Sequence, residues 1–239
     1  NNPVITGASQ NFLLLLTPYD YATVKYDQNG NQLWVSRYNG TGNNEDKPTG
    51  ITADALNNII VTGGSIGSGS NIDFATVKYN SSGTQQWVQR YNGPGNNEDR
   101  AYAIVVDNSN NIIVTGESIG SGSNYDYSTI KYNPSGNQQW VQRYNGPGNN
   151  EDRAYAIVVD NSDNIIITGY SRTGNSESTE DYTTVKYNNS GTQQWVSRYN
   201  GIGSNQDRAY AIIVDNSDNI YVTGSSRSTG SAGSEDYAT

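Results

Sequence analysis

Short apolar segments alternate with polar turns along the chain. In residues 101–146 four such segments follow one another, AYAIVVD, IIVTGES, YDYSTIKYN and QQWVQRYNG, and all are rich in β-branched or aromatic residues. Runs of this kind predict β-strands, and the Asn-, Ser-, Pro- and Gly-rich residues between them predict tight turns. The segments show no amphipathic helical period, so each unit predicts four antiparallel strands.

The four-strand unit repeats at a nearly constant interval. Trp34, Trp87, Trp140 and Trp195 are separated by 53, 53 and 55 residues. Sheets repeated at this length are typical of a β-propeller, in which each blade buries both faces against its neighbours. We therefore predict an all-β fold, a β-propeller of four-stranded antiparallel blades of about 53 residues. A string of separate four-stranded domains is the structural alternative, although one small sheet alone would lack a core.

The repeat frame makes residues 1–239 one propeller region. It predicts three complete blades and two partial ones: a partial blade at 1–47, blades at 48–100, 101–153 and 154–208, and a partial blade at 209–239. Both ends carry a second strand and the start of a third, so they do not complete one another. Because unpaired strand edges invite pairing, we expect either a longer polypeptide or self-association by exchange of terminal strands.

The segments AIVVDNSNNIIVTG and DYSTIKYNPSGNQQWVQRYNG resemble the SBBP repeat, a bacterial β-propeller repeat family. The resemblance covers nearly the whole chain. It implies that the innermost strands end at Asp54, Asp107, Asp160 and Asp215 and that the outermost strands carry the tryptophans. Asn or Asp replaces the family's usual glycine in the first turn, and both residues accept the left-handed conformation. The family is associated with exported and surface proteins without an assigned chemistry, so the resemblance implies a scaffold.

Composition narrows the chemistry. The formal net charge is -9, and the 14 basic residues are scattered, so we expect no nucleic-acid partner. Cysteine, methionine and histidine are absent, which removes thiol and imidazole catalysis and the usual zinc ligands. The longest apolar run, residues 12–16, is far shorter than the roughly 20 residues that span a bilayer, so we expect no membrane span.

The most charged segment, GNNEDR and its variants, precedes each inner strand. It places Asp46, Asp99, Asp152 and Asp207 near one mouth of the predicted channel, where a ring of carboxylates could hold a hard cation such as calcium. Lys or Arg follows each Asp, so a rim of paired charges is the alternative, and we favour it. We expect no metal, no cofactor and no catalytic residue, and retain the four aspartates as candidates at the channel rim.

The aromatic residues recur at fixed positions in each unit. One position holds Tyr26, Tyr79, Tyr132 and Tyr187, and another holds Tyr38, Tyr91, Tyr144 and Tyr199. Repetition of this kind favours packing between blades over a ligand platform.

These observations predict a non-catalytic, extracellular or cell-surface scaffold, structural or adhesive, with protein or cell-surface partners. A glycan-binding propeller is the first alternative. A hydrolase that uses the channel mouth is a more distant one, because adjacent acids such as Glu98 and Asp99 recur as architecture rather than as a unique pair.

Overall fold

The computed structural model describes residues 2–10, 18–67, 71–122, 124–176, 179–202, 205–227 and 235–239. Within these ranges, β-strands form five antiparallel sheets, numbered here 1 to 5 along the chain. The strands are β1 (Val4–Ser9), β2 (Asp20–Tyr26) and β3 (Gln32–Tyr38) in sheet 1; β4 (Asp46–Ala53), β5 (Ile59–Ile66), β6 (Ile72–Tyr79) and β7 (Gln85–Tyr91) in sheet 2; β8 (Asp99–Val106), β9 (Ile112–Ile119), β10 (Tyr125–Tyr132) and β11 (Gln138–Tyr144) in sheet 3; β12 (Asp152–Val159), β13 (Ile165–Arg172), β14 (Glu180–Tyr187) and β15 (Gln193–Tyr199) in sheet 4; and β16 (Asp207–Val214), β17 (Ile220–Arg227) and β18 (Glu235–Ala238) in sheet 5. Residues 12–16, the longest apolar run, lie outside the described residues.

Sheets 2, 3 and 4 each follow the simple order first–second–third–fourth strand. The first strands β4, β8, β12 and β16 contact one another in succession and are called the inner strands; β3, β7, β11 and β15 are the outer strands. The predicted all-β fold with repeated four-stranded antiparallel units is therefore confirmed. Across the described part of the chain, no helix is long and apolar enough to cross a membrane.

Successive sheets pack face to face through apolar clusters. At the contact between sheets 3 and 4, called joint 3–4, Ile113 and Tyr127 pack against Ala154, Ile165 and Ile167. Equivalent clusters fill joints 1–2 and 2–3. Complete burial of one such isoleucine contributes about 2 kcal/mol, so each joint stabilises both of the sheets that form it.

Each inner hairpin closes through an aspartate at the end of the inner strand. In sheet 3, Asp107 Oδ1 accepts hydrogen bonds from the Ser109 and Asn111 amides at 2.9 and 2.8 Å. Asn110 takes φ 62°, the left-handed conformation that the sequence predicts at this turn. Lys131 on the third strand lies 2.7 Å from the same carboxylate. Burial raises the pKa of Asp107, but the hydrogen bonds from Lys131 and Asn111 outweigh it, so that its pKa is lowered.

The outer-strand tryptophans join each sheet to the next. The Trp87 indole N–H donates to the Pro134 carbonyl at 3.2 Å, and its ring covers Gly136 in the turn of sheet 3. Trp34 and Trp140 make the same contact with the turns of sheets 2 and 4. The outer-strand position that the resemblance implies is confirmed, and the indoles pack against the following sheet. Trp34, Trp87 and Trp140 are partly buried, and Trp195 is 36% exposed.

The tyrosine prediction is also confirmed by packing between sheets. Tyr79, Tyr132 and Tyr187 are almost completely buried, and each contacts the tryptophan of the preceding sheet.

Candidate functional site

The four aspartates predicted at the channel rim lie inside the fold. Asp46, Asp99, Asp152 and Asp207 are all 0% exposed. Each accepts a hydrogen bond from a glycine amide six residues earlier, as Asp99 does from Gly93 at 2.7 Å. Burial raises the pKa of Asp99, and that of Asp152 to about 6. These carboxylates fasten the connection that enters each inner strand, and their proximity to a channel mouth stays a prediction.

The predicted charge pairing involves different acids. Lys47 pairs with Glu45 and Arg100 with Glu98, both at 2.8 Å, rather than with the aspartates beside them. Within the described ranges, no three His, Cys, Asp or Glu side chains come together in a group suited to a metal ion.

Joint 3–4 contains a buried carboxylate between two arginines. Glu117 of β9 is 1% exposed at its side chain and lies 2.8 Å from Arg153 Nε and 3.4 Å from Arg100. The Arg153 guanidinium also lies over the Tyr125 ring, 5.3 Å from its centroid. Burial raises the pKa of Glu117, opposed by Arg153, a hydrogen bond from Tyr102, and Arg100.

Joint 4–5 reaches the same arrangement with the two residue types exchanged. Here the tyrosine is Tyr170, at the β13 position equivalent to Glu117, and the glutamate is Glu180, at the β14 position equivalent to Tyr125. Arg208 contacts Glu180 and lies 5.2 Å over the Tyr170 ring. In both joints, therefore, the arginine at the second position of the next inner strand contacts one carboxylate and one aromatic ring.

Joint 2–3 has neither group. Gly64 stands at the position of Glu117, and Ile72 at the position of Tyr125. Arg100, the arginine that begins the next inner strand here, is left with a cavity of about 220 Å³ beside it. The walls of this cavity, called the Gly64 pocket, are Glu45, Lys47, Thr49, Gly64, Ile72, Arg100, Ala101 and Tyr102.

A β-bulge sets the width of the Gly64 pocket. The inner strands shift register at one residue, which is Thr49 in sheet 2 and a tyrosine, Tyr102, Tyr155 or Tyr210, in the others. The three tyrosine rings contact one another in succession at tilted angles, with centroids 5.6 and 5.5 Å apart. Thr49 instead donates its hydroxyl to the Ala101 carbonyl at 2.7 Å, so that no ring closes the pocket from that side. Bulges commonly redirect a side chain beside a functional site.

The sequence contains a signal for the Gly64 pocket that our prediction missed. The pocket depends on two positions where the copies differ, Gly64 against Glu117 and Tyr170, and Ile72 against Tyr125 and Glu180. Our prediction relied on residues that the copies share. Alignment of the copies on their strand register would have revealed the loss of both the acid and the ring in one unit.

The family comparison bears on the end of sheet 4 and the beginning of sheet 5. Residues 194–230 match the family model of the SBBP beta-propeller repeat. The predicted resemblance to the SBBP family is confirmed. The matched SBBP residues include most of the outer strand β15 with Trp195, the inner strand β16 and its hairpin partner β17.

A curated relative extends the likeness beyond the SBBP match. An uncharacterized WD repeat-containing protein, L264, of Acanthamoeba polyphaga mimivirus is 28% identical over 237 residues. The alignment covers 87% of this chain but 14% of the relative, so the chain spans a small part of that protein's length.

A solved enzyme structure has the same fold at low identity. The periplasmic gluconolactonase PpgL of Pseudomonas aeruginosa is 10% identical, with a TM-score of 0.54 over 99% of this chain and 68% of its own. A gluconolactonase of Xanthomonas campestris is 13% identical, with a TM-score of 0.49 over 87% of this chain and 65% of its own.

The likeness to the Pseudomonas aeruginosa enzyme corrects the functional prediction. We predicted a non-catalytic structural or adhesive scaffold, and this expectation is contradicted because a solved neighbour with the same fold is an enzyme. The reasoning failed because it treated a regular, repeat-built body as evidence against chemistry, whereas one fold serves many functions through its sites. The SBBP match and the WD-repeat relative support a propeller scaffold.

Proposed function

We propose that this propeller binds a carboxylate-bearing ligand in the Gly64 pocket, between Lys47 and Arg100. The observation that carries the proposal is the missing acid. Joints 3–4 and 4–5 each place a buried glutamate against the arginine that begins the next inner strand, and joint 2–3 has a cavity there.

The geometry of joint 3–4 indicates how such a ligand would be held. Arg153 contacts Glu151 through one terminal nitrogen and Glu117 through Nε, so one guanidinium serves two carboxylates. Arg100 already contacts Glu98 through Nη2 and Glu117 through Nη1. A carboxylate that entered at Gly64 would approach the remaining side of Arg100, with Lys47 opposite, and charge-assisted hydrogen bonds of this kind are the strong ones.

The size of the pocket limits what enters it. A volume of about 220 Å³ is below that of most drug-sized sites and suits a single side chain or a small acid. An acidic side chain of a protein partner and a small hydroxy acid present the same carboxylate. We favour the protein partner, because the pocket opens beside exposed charged residues, Lys47 and Glu45, that a larger surface could also contact.

The test is a calorimetric titration of the protein with two probes that share the carboxylate, sodium gluconate and an acetylated, amidated peptide with one central glutamate. Gly64→Glu should abolish binding of whichever probe binds, because the new carboxylate fills the pocket. Lys47→Gln should weaken it about tenfold, the loss of about 1.4 kcal/mol expected for one charge-assisted hydrogen bond.

The matched control is Arg37→Gln, which removes one exposed positive charge on sheet 1 and should leave the affinity unchanged. Peptide binding that is lost when its glutamate becomes glutamine would favour the protein partner, whereas binding of gluconate alone would assign a small acid. Failure of both probes to bind, or equal binding by Gly64→Glu, would refute the proposal.

We further propose that the protein works outside the cytoplasm. A chain without cysteine or methionine offers no sulfur to oxidants, which suits an oxidising compartment. Fractionation of the source cells with an antibody to the chain tests this, and recovery in the cytoplasmic fraction alone would contradict it.

A further inference from the structure

Five Asn-Gly pairs occur in the chain, and one of them has a different environment from the rest. Asparagine is chemically labile before glycine, because glycine has no side chain to hinder attack by its backbone nitrogen on the asparagine carboxamide. One pair, Asn29–Gly30, lies in the turn between β2 and β3. The others follow the outer strands, and their asparagines are Asn39, Asn92, Asn145 and Asn200.

The four pairs after the outer strands are held by the buried aspartates. Each glycine is buried and donates its N–H to an aspartate carboxylate at 2.6 to 2.8 Å. Attack on the carboxamide requires loss of that N–H proton, which would place a second negative charge beside the buried carboxylate. An added Cβ on any of these glycines would overlap a serine Oγ, so the backbone has little room to rotate.

Three of these carboxamides are also fixed by a second contact. Asn39, Asn92 and Asn145 each donate through Nδ2 to the Oδ1 of an asparagine four residues later, at 2.6 Å. The carboxamide and the glycine nitrogen are therefore both held apart from one another.

The pair in the β2–β3 turn has neither restraint. Asn29 is exposed, and among the described residues none forms a hydrogen bond with its carboxamide. Gly30 is exposed as well, and its N–H donates to the neutral carbonyl of Asp27 at 3.2 Å. Loss of the Gly30 proton thus occurs in contact with solvent rather than beside a buried anion.

The exposure of Asn29 is a property of the turn itself. Serines occupy its position in sheets 2, 3 and 4, and all three are exposed although the tryptophan of the preceding sheet contacts each turn: Ser82, Ser135 and Ser190. A sheet packed in front of sheet 1 would therefore leave Asn29 exposed.

We propose that Asn29 is a site of spontaneous modification, converted to aspartate and isoaspartate through a cyclic imide. The Gly30 nitrogen gives its proton to hydroxide and bonds to Asn29 Cγ. The Cγ–Nδ2 bond then breaks, and Nδ2 takes a proton from water and leaves as ammonia. Water opens the imide at either carbonyl, which gives aspartate or, with one methylene added to the backbone, isoaspartate.

Both products add one negative charge to a turn that already contains a carboxylate. Asp27 Oδ1 accepts the amides of Asn29 and Asn31, both at 2.8 Å, and the extra methylene of isoaspartate lies between those two donors. The conversion would therefore loosen the turn that leads into β3 and Trp34. This proposal is independent of the Gly64 pocket, which lies in joint 2–3.

The test is incubation of the folded protein in mildly alkaline buffer, followed by tryptic digestion and mass spectrometry. Cleavage after Lys25 and Arg37 isolates Asn29 in residues 26–37, apart from the other four pairs. Isoaspartate is counted with an isoaspartyl methyltransferase and labelled S-adenosylmethionine. Asn29 should convert about tenfold faster than any other pair, because elsewhere a charge-assisted hydrogen bond must break first. The matched control is the chain unfolded in urea, in which all five pairs should convert at similar rates.

Two variants test whether the turn is the cause. Asn29→Ser introduces the residue type of the other turns and should abolish the fast conversion without a change in melting temperature. Ser82→Asn should create a second fast site in sheet 2, where Trp34 contacts the turn. Equal rates at all five pairs of the folded protein would overturn the proposal. So would an Asn29 that stays intact while the unfolded chain reacts, or an absence of conversion at the new site of Ser82→Asn.

Discussion

Joints 2–3 and 3–4 share one backbone plan and differ in their charged residues. Both have an inner strand that begins with Asp followed by Lys or Arg, a bulge three residues after the Asp, and an apolar cluster between the sheets. Joint 3–4 buries Glu117 between two arginines, while joint 2–3 has Gly64 and a cavity. The difference shows that the repeat tolerates loss of the ion pair, and that its loss in joint 2–3 leaves a cavity.

The largest expected effect is a difference in unfolding free energy between variants of the two joints. Arg153→Ala leaves Glu117 buried with its nearest cation removed, and breaking a buried pair in this way should cost about 3 kcal/mol of unfolding free energy. Lys47→Ala removes a cation that lines the Gly64 pocket of joint 2–3 and whose side chain is 61% exposed, and should cost about 0.5 kcal/mol or less.

Urea denaturation of both variants measures this contrast. The loss in Arg153→Ala should shrink as the pH falls toward 4, since Glu117, with its pKa already raised by burial, can then be protonated. Equal losses of unfolding free energy in the two variants would contradict this, and would mean that water reaches the Glu117 carboxylate once Arg153 is removed.

The tryptophan contacts offer a second comparison. Trp140→Ala should cost about 2 kcal/mol, less than a fully buried tryptophan, because the side chain is only partly buried. Trp195→Ala should cost about 1 kcal/mol, because among the described residues no turn accepts its indole N–H. Thermal unfolding by circular dichroism gives both values, and a larger loss at Trp195 would contradict the assigned role of the turn contact.

Two turn glycines test the tryptophan contact from the side of the turn. Gly136 and Gly122 take φ 86° and 84°, so replacement of either by alanine costs about 1 kcal/mol in backbone strain. A Cβ at Gly136 would also meet the Trp87 ring at 2.9 Å, whereas nothing lies within 4 Å at Gly122. Gly136→Ala should therefore destabilise more than Gly122→Ala, and identical melting temperatures would show that the ring moves aside freely.

The smallest expected effect concerns pH. The pKa of Asp152 is raised to about 6 from 3.8, so the folded state holds this proton more tightly than the unfolded state does. Its stabilising contribution is complete below pH 3.8 and is lost as the pH rises through 6. Between pH 5 and 7 the loss is about 1 kcal/mol. Asp152→Asn should lose less stability over this interval than the unmodified chain, and parallel pH curves would contradict the shift.

The sequence was most informative where the copies agree. The tryptophan interval predicted the repeat, the β-branched segments predicted the strands, and Asn110 and Asp163 were correctly expected to take the left-handed conformation. These features depend on local backbone preference and on burial, which a single sequence displays directly.

The site could not be predicted in the same way. Whether Asp99 lies at a rim or beneath Gly93 depends on the path of a connecting loop, and the adjacent Arg100 gave a misleading partner. The Gly64 pocket depends on residues from four strands in two sheets, and it exists because Gly64 and Ile72 both replace larger residues, Glu117 and Tyr125 in sheet 3. Contacts between residues of two adjacent sheets are a tertiary property, and the sequence of a single repeat does not reveal them.

The tryptophan contacts described above run in one direction only. The indole of each outer strand reaches forward to a turn of the following sheet, and Lys25, Lys78 and Lys131 reach forward to that turn as well. The sheets are therefore coupled as nearest neighbours, and the free energy of one depends on the presence of the next. Among the described residues no turn of sheet 5 holds an indole, whereas unfolding of sheet 4 would free Trp140 of sheet 3. The fluorescence of Trp34, Trp87 and Trp140 therefore reports on the sheet that follows each of them.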